Sequence, residues 1–336
     1  MHSSFLFVVV ASCMLSLASY GCGDASSSSE NVYRTSAAII GGEEAPTLSA
    51  VVSIGTCSGA LIAPNVILSA AHCVGRPDMS GVLKSVGKGS DFRASTTPAP
   101  GIPQVPSQWR SFELTVTEVH VPKAATTDGL VGNDVSLLVL EKPVDGVTPL
   151  VPNFELPKTG DLVDVAGYGA TCADCDIQEA IKDGGAGRRR ERSGVEITCS
   201  GDCPGGTETD FGTGRTTAFF DSGGPVRNAA GHVVGTVSRG QGDVDIYQGL
   251  GPHHDFIAGI VRDAATKAGA PVPAWAALPP EDDGSEGRDD AGVVQGYSAP
   301  ASSCNLAMSG SSSTLAAAAL SLALATLSLQ RRSRRP

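Results

Sequence analysis

The sequence predicts an all-β fold of antiparallel strands that ends in one helix. From residue 39 to residue 270, short runs rich in β-branched residues alternate with Gly, Pro, Asn and Asp, which is the spacing of many short strands joined by turns. The clearest runs are 50–54, 65–68, 114–121, 135–140, 162–166 and 232–237. Strands of this kind close into sandwiches or barrels, and we find no internal sequence repeat.

The segment 255–268 differs from these runs, because its apolar residues recur at the spacing of one helix face. These residues are Phe256, Ile257, Ile260 and Val261. We therefore predict that residues 39–270 form a single domain of β-strands with a helix at its C-terminal end.

The residues before this domain have the composition of an export signal. An apolar run from residue 5 to residue 20 precedes Cys22 and a Ser-rich stretch, so we predict a signal peptide over 1–21 and a propeptide or linker over 22–38. Residues 19–22, Ser-Tyr-Gly-Cys, loosely resemble a lipoprotein cleavage box, and whether Cys22 carries a lipid stays open. The domain is expected outside the cytoplasm.

Residues 304–336 have the pattern of a membrane or sorting tail. Cys304 precedes a Ser- and Gly-rich spacer, an apolar segment at 315–329 and a final cluster of arginines. This segment is shorter than the roughly 20 residues that a membrane span needs. The arginines after it are expected to stay on the cytoplasmic side and so to hold the tail in the inner membrane. The tail resembles those by which some Gram-negative bacteria sort proteins to their surface or outer membrane with a sorting protease. An ordinary single-span anchor is the alternative, and lipidation of Cys304 stays open.

Charge and composition restrict what the remaining segments do. Residues 271–303 are rich in Pro, Gly, Ser and acids and are predicted to form a disordered stalk, because they bury too little apolar surface to fold. The formal net charge is −11, which favours solubility and argues against nucleic-acid binding. The basic run 187–192 is predicted to be a solvated loop that is prone to proteolytic nicking.

Six of the nine cysteines lie in the predicted domain, and export makes disulfides their default state. Cys57 and Cys73 could bridge a loop whose closure contributes about 3 kcal/mol. The other four are predicted to form two disulfides rather than a zinc site, with the pairing left open and cross-pairing between the two clusters as one possibility. They are Cys172, Cys175, Cys199 and Cys203.

Three polar residues lie where apolar runs meet turns. His72 follows the run 65–68, Asp134 leads the run 135–140, and Ser222 lies in the motif DSGGP. A serine hydroxyl attacks a peptide carbonyl effectively when an imidazole removes its proton and a carboxylate fixes the tautomer of that imidazole. Taken singly, each of the three is more often structural, but together they form a candidate catalytic triad.

The order of these residues and their flanks resembles the trypsin/chymotrypsin (S1) family of serine proteases. The resemblance spans 39–261 and includes IIGG at 39–42, the disulfide and histidine segment 57–73, DVSLL at 134–138, GYG at 167–169, and DSGGP at 221–225. It implies two six-stranded antiparallel Greek-key barrels (chymotrypsin-like), with the active site in the cleft between them. It also implies the triad roles of His72, Asp134 and Ser222, which need neither cofactor nor metal.

The resemblance assigns roles to further residues. A new amino terminus at Ile39, freed by an activating protease after Ala38, would pair with Asp221 and organise the oxyanion loop. The backbone N–H groups of Phe220 and Ser222 would bind the oxyanion. The substrate pocket would be formed by Thr216, Ser238, Gly240 and Asp245.

Several positions depart from the family pattern. Phe220 replaces a glycine, and its Cβ disfavours the positive φ that aims the oxyanion donor, so we expect the preceding peptide to rest partly in a flipped orientation. The alternative is that Phe220 adopts the competent backbone without strain and that its ring shapes the leaving-group side of the cleft. Ala218 and Asp243 stand where the family usually has a disulfide beside the pocket.

Residues of the specificity pocket also differ. Thr216 replaces trypsin's acidic selector, although Asp245 lies where another acid could reach the same pocket, and Arg239 replaces a tryptophan. Preference at the cleaved bond stays open, with small or apolar residues slightly favoured over basic ones.

The leading hypothesis is a secreted, surface-tethered serine endopeptidase that cleaves proteins or peptides through an acyl-enzyme. The alternative is a catalytically weak relative that displays the double barrel as a surface binding module, an idea motivated by Phe220 and the missing disulfide. The intact candidate triad favours the enzyme, because a binding module has no chemical need for all three groups.

Overall fold

The computed structural model describes residues 39–103, 106–172, 175–182 and 185–278. The predicted signal peptide, the propeptide, most of the stalk and the sorting tail lie outside these residues. Within them, no helix is long and apolar enough to cross a membrane.

Strands dominate the fold, and three short α-helices join or follow them. The first strands are β1 Glu43–Glu44, β2 Val51–Ser53, β3 Ser58–Ala63, β4 Val66–Ser69, β5 Gly75–Pro77, β6 Leu83–Val86, β7 Arg93–Ala94, β8 Leu114–His120 and β9 Ser136–Leu140. The others are β10 Leu162–Gly167, β11 Arg190–Ser200, β12 Asp210–Gly214, β13 Pro225–Arg227, β14 Val233–Gln241 and β15 Val244–Gly249. The α-helices are α1 Lys123–Thr127, α2 Ile177–Lys182 and α3 His254–Ala268. The 3₁₀-helices are Ala71–Cys73, Gly89–Asp91, Pro106–Ser111, Gly251–His253 and Ala274–Ala276.

The strands form two antiparallel barrels, one from each half of the domain. The N-terminal barrel has the order β2-β3-β4-β9-β8-β7, and a bridge between Ser53 and Ser95 brings its edges together, so it is nearly closed. The C-terminal barrel has the order β11-β10-β13-β14-β15-β12 and is closed by the pairing of β11 with β12. Strand β1 adds to β11 outside this ring. The prediction of two six-stranded barrels is confirmed.

Helix α3 explains why several strands of the N-terminal barrel are apolar on both faces. Ile67 and Leu138 pack inside the barrel, whereas Leu68 on the other face packs with Ile257 and Val261 of the helix. A strand covered on both sides contains a continuous apolar run instead of an alternating one. The predicted helix is confirmed and positions no catalytic group itself.

The folded region extends beyond residue 270, where we placed its end. In the 3₁₀-helix Ala274–Ala276, Trp275 packs against the α3 core, and Ala276 is buried and accepts a hydrogen bond from Arg262 Nη1 at 2.9 Å. The predicted stalk boundary is therefore wrong for residues 271–278. A single tryptophan supplies the apolar surface that the polar composition of this stretch otherwise lacks.

The basic run 187–192 is not a solvated loop, which corrects another prediction. Arg190 begins β11, and the adjacent Arg189 is only 2% exposed. The guanidinium of Arg189 donates hydrogen bonds to the carbonyl oxygens of Ala45, Pro46, Val51 and Thr96 and to the hydroxyl of Tyr168. Burial of this charge is tolerated because a rigid fork of donors satisfies several carbonyls at once.

Arg189→Met is expected to lower the free energy of unfolding by about 3 kcal/mol, because it leaves buried carbonyls without donors. Chemical denaturation of the variant measures this change. Arg188→Met is the matched control, since the Arg188 side chain is half exposed and makes only a surface contact of 3.5 Å with Glu44. Equal stability of the two variants would contradict a structural role for the buried guanidinium.

Three disulfides join the six cysteines of the domain. They are Cys57–Cys73, Cys172–Cys175 and Cys199–Cys203. The prediction that these cysteines are oxidised is confirmed. The pairing that the sequence left open occurs within each cluster, so no disulfide crosses between the two clusters.

Candidate active site

His72 is held at the edge of the N-terminal barrel by covalent and hydrogen bonds. It lies in the 3₁₀-helix Ala71–Cys73 that follows β4, and the Cys57–Cys73 disulfide fixes its neighbour. The backbone N–H of His72 donates to Asp134 Oδ1 at 2.9 Å. The position of the imidazole is therefore set by its own backbone as well as by its ring.

Asp134 binds the imidazole directly. Its Oδ2 lies 2.8 Å from His72 Nδ1 and also accepts a hydrogen bond of 2.6 Å from Ser238 Oγ. The side chain is almost fully buried, and the Asp134 N–H donates to Gln248 Oε1 at 3.2 Å. Ser238, which we assigned to the pocket, thus also supports the carboxylate. Gln248 was missed by the sequence reasoning, since nothing in its local pattern marks it.

The carboxylate and the imidazole shift each other's pKa. Burial alone would lower the pKa of His72, but the hydrogen bond and charge of Asp134 outweigh it and raise that pKa above its ordinary value. Burial alone would raise the pKa of Asp134, but the contacts from His72 and Ser238 hold it below its ordinary value. The pair therefore favours an ionised carboxylate that orients the ring through Nδ1.

Ser222 and His72 line the same cleft, whose volume is about 730 Å³. Ser58 connects the loop of Ser222 to the N-terminal barrel: its N–H donates to Ser222 O at 2.8 Å, and its hydroxyl donates to Phe220 O at 2.9 Å. Among the described residues, no hydrogen bond joins the side chains of Ser222 and His72. Catalytic hydrogen bonds are often long without substrate, so this geometry is compatible with a serine and its base.

The backbone of the loop before Ser222 presents two available donors. The N–H groups of Phe220 and Ser222 donate to no other residue in the described part of the chain. Gly223 has φ +79°, and a Cβ there would lie 2.1 Å from Ser69 Oγ, so glycine is required for this tight turn. Two free N–H groups beside a serine hydroxyl are the arrangement that stabilises an oxyanion.

Phe220 adopts the positive φ that we expected its Cβ to disfavour. Its φ is +78°, which costs about 1–3 kcal/mol in a non-glycine residue. The ring is buried in an apolar cluster that offsets this strain. The cluster includes Ala170, Ala180 and Ala186, with Cys172 and Cys175 packed against it. The peptide before Phe220 is therefore not in the flipped orientation that we expected.

Phe220→Gly is expected to lower the free energy of unfolding by about 2 kcal/mol, since loss of a buried ring costs about 3–5 kcal/mol and relief of the strain returns about 1–3 kcal/mol. Turnover is expected to change less than about threefold, because the N–H is already aimed without the glycine. Thermal unfolding and steady-state kinetics measure both quantities. Phe219→Ala, which removes a ring that is about half exposed, should leave the stability unchanged. A marked rise in turnover would restore the flipped-peptide hypothesis.

Asp221 is fully buried beside the first residue of the described chain. Its carboxylate accepts hydrogen bonds from Gly169 N at 2.7 Å and Ala218 N at 3.0 Å, and a further one from the backbone of Ile39. Burial, with a smaller contribution from the charge of Asp245, raises the pKa of Asp221 to about 7. Ile39 itself is fully buried. The two members of the predicted activation pair are therefore adjacent.

The predicted pocket residues are only partly brought together. Ser238, Gly240 and Asp245 line the cleft, but Thr216 does not. Thr216 is buried, and its hydroxyl donates to Gly214 O at 2.9 Å, so its place in the substrate pocket stays a prediction. Cleft residues that the sequence reasoning missed include Ile177, Arg215, Thr217 and Phe219.

Comparison with known proteins places this geometry in a family. The family model described as Trypsin matches residues 39–250. A Glu endopeptidase solved in complex with MPD is similar, with 18% identity and a TM-score of 0.51 over 65% of this chain and 95% of that chain. Human heparin binding protein is also similar, with 20% identity and a TM-score of 0.49 over 66% and 96%. A search of curated protein sequences gives no significant match. At 18% identity, the similarity to the Glu endopeptidase shows the fold alone.

Proposed function

Because the chain belongs to the trypsin family, we propose that it is a serine endopeptidase with His72, Asp134 and Ser222 as its catalytic triad. The observation that carries this proposal is the 2.8 Å contact of His72 Nδ1 with the buried Asp134, in a cleft that also contains Ser222. Its protein or peptide substrates would bind in this cleft, and the reaction requires no cofactor.

The proposed reaction proceeds through an acyl-enzyme. His72 Nε2 removes the proton of Ser222 Oγ as that oxygen attacks the peptide carbonyl, and Asp134 stabilises the imidazolium through Nδ1. The N–H groups of Phe220 and Ser222 stabilise the oxyanion of the tetrahedral intermediate. His72 then gives its proton to the leaving amine, the C–N bond breaks, and water hydrolyses the acyl ester by the same two steps.

A fluorophosphonate probe tests this proposal, because it labels a serine only where a base and an oxyanion site activate it. We expect labelling of Ser222, and loss of labelling in His72→Ala. Ser193→Ala is the matched control, since Ser193 is exposed on β11. An unlabelled protein that is folded and cleaved before Ile39 would favour the binding-module alternative.

We further propose that cleavage before Ile39 activates the enzyme. The new α-ammonium group would lie beside the buried Asp221 and neutralise it, which would hold the oxyanion loop in place. Ala38 precedes the cleavage point, so the activating protease need not cleave after basic residues.

The trimmed protein is expected to exceed the extended form in turnover by about 10² to 10³, the cost of losing an oxyanion donor. Its activity should fall as pH rises, because the terminal amine loses its proton and with it the pairing with Asp221. The ordinary pKa of this amine is about 8, and the charge of Asp221 raises it. Kinetics before and after cleavage, from pH 7 to pH 11, measure both effects. Acetylation of the new terminus, which removes its charge, should reproduce the extended form. Equal activities would exclude this mechanism.

The fold and its disulfides suggest an extracellular or secreted protein. The finer proposal is export through the 1–21 signal and display at a Gram-negative cell surface through residues 304–336. Mass spectrometry of protein shaved from intact cells tests it. Peptides from 315–329 on the exported form would show that the tail is retained instead of removed near Cys304.

A further inference from the structure

Phe220 offers its N–H to the proposed oxyanion site from a backbone conformation that a non-glycine residue rarely holds. Its φ is +78°, and a residue stays in this region only where the surrounding structure over-determines its conformation. The buried ring contributes to this, but apolar contact has no direction and does not fix the orientation of the peptide groups on either side. The hydrogen bonds of those two peptide groups show what does.

The carbonyl oxygens on both sides of Phe220 accept hydrogen bonds from other segments. Before it, Ala170 N donates to Phe219 O at 2.8 Å. After it, Ser58 Oγ donates to Phe220 O at 2.9 Å. The N–H and C=O of one trans peptide group point in opposite directions, because the group is planar. The bond from Ala170 therefore turns the Phe220 N–H away from Ala170, where it meets no acceptor among the described residues.

Ser58 is placed to hold the second of these carbonyls rigidly. It is the first residue of β3, is fully buried, and follows a disulfide-bonded cysteine. Its hydroxyl accepts a hydrogen bond of 2.9 Å from Tyr168 N, and its single proton goes to Phe220 O. A hydroxyl with a donor on one side and an acceptor on the other has one orientation. The bond from Ser58 N to Ser222 O, of 2.8 Å, belongs to the backbone and does not depend on the side chain.

Given the proposed protease activity, on which the inference rests, we infer that Ser58 is a positioning residue of the reaction. Its hydroxyl holds the peptide group after Phe220 and so keeps the Phe220 N–H directed at the oxyanion. The φ and ψ of a residue are set by the orientations of the two planar peptide groups that flank its Cα. Ala170 fixes one of these groups and Ser58 fixes the other. Ser58 does not line the cleft, so it acts through Phe220 and not on the substrate.

Loss of the Ser58 hydroxyl would leave two buried groups without partners, the N–H of Tyr168 and the C=O of Phe220. An unsatisfied buried carbonyl is costly, and rotation of its peptide group toward the cleft would supply water as a donor. Once that group can rotate, the strain of the positive φ favours a conformation in which the Phe220 N–H is no longer aimed. Glycine populates positive φ about as readily as negative φ. The need for Ser58 should therefore depend on the phenylalanine at position 220.

Ser58→Ala tests the inference, because it removes the hydroxyl and keeps the backbone bond to Ser222. In the full chain cleaved before Ile39, we expect kcat to fall about 10- to 100-fold, since outright loss of one oxyanion donor costs about 10² to 10³. KM should change less than about threefold, because the donor acts on the transition state. Affinity for a peptide aldehyde, whose oxygen takes the oxyanion position in the adduct with Ser222, should fall by the same factor as kcat/KM. Thermal unfolding shows whether the variant is folded.

Ser53→Ala is the matched control. Ser53 is an equally buried serine directly opposite Ser58 on β2, and its hydroxyl forms no hydrogen bond within the described ranges. This variant should keep the wild-type kcat. The decisive comparison repeats Ser58→Ala together with Phe220→Gly, where the hydroxyl should matter less than about threefold in kcat. A general effect of Ser58 on the barrel would instead be equal in both backgrounds.

Unchanged kcat and aldehyde affinity in Ser58→Ala would overturn the inference, as would equal losses of kcat with and without Phe220→Gly. If Ser58→Ala does not fold, Ser58→Cys replaces it, because a thiol fills similar space and is a weak donor. Its kcat should then fall by a smaller factor, and a wild-type kcat would reject the inference. Fluorophosphonate labelling of the wild-type protein separates the two proposals. Labelled protein whose kcat does not depend on Ser58 rejects this inference alone, and unlabelled protein rejects the proposed function with it.

Discussion

Ser222→Ala is expected to lower the turnover number by about 10⁶, the loss seen when the nucleophile of an analogous triad is removed. His72→Ala should lower it by a similar factor, because the two groups act as a unit and the hydroxyl is unreactive without its base. The double variant should therefore be no slower than either single one. Additive losses would mean that the two residues do not act in one step.

Active-site titration and steady-state kinetics on the trimmed variants measure this loss, and thermal unfolding shows whether the fold persists. The Ser222 hydroxyl makes no hydrogen bond among the described residues, so its removal should leave stability unchanged. The exposed Ser193→Ala again serves as the control. Residual turnover above about 1% in Ser222→Ala would remove Ser222 from the proposed mechanism.

Asp134→Asn is expected to lower turnover by about 10⁴, as the corresponding change does in trypsin. An amide preserves the shape of the carboxylate but donates where the carboxylate accepts, so it stabilises the wrong tautomer of His72. It also removes the charge that raises the pKa of His72 against the effect of burial.

The pH dependence tests the same contact. The base must be neutral, so wild-type kcat/KM should fall as pH decreases through a His72 pKa that lies above its ordinary value of 6.5. In Asp134→Asn this acid limb should move to lower pH, because only the lowering effect of burial remains. Asp128→Asn, at an exposed position, should move neither the limb nor the rate. An unshifted limb in Asp134→Asn would show that another group controls the profile.

Local sequence patterns predicted the strands and the helix, because these elements are set by residues that are close together in the sequence. The alternation of apolar runs and turn residues predicted the strands, and the helical spacing after residue 254 predicted α3, because both periods repeat within a few residues. His72, Asp134 and Ser222 were found because each has distinctive flanks. The glycine after Ser222 marks a turn that no Cβ fits.

Contacts between distant segments were outside the reach of those patterns. Arg189 was expected to be solvated because a basic run usually is, and only the folding of residues 45–51 and 96 around it supplies its acceptors. Gln248 supports Asp134 from 114 residues away. Trp275 packs against the α3 core and so anchors a stretch whose composition predicts disorder.

The sequence by itself predicted the all-β class and the helix, since residue type at short spacing encodes both. It predicted the oxidised cysteines from the export signal, and the candidate triad from the order and the flanks of His72, Asp134 and Ser222. Only the tertiary structure decided that Thr216 is buried and that Phe220 holds a positive φ. These features depend on contacts between strands that are distant in the sequence, which bring backbone donors and apolar side chains together. Local sequence does not specify those contacts, because packing and hydrogen bonding across the barrels set them.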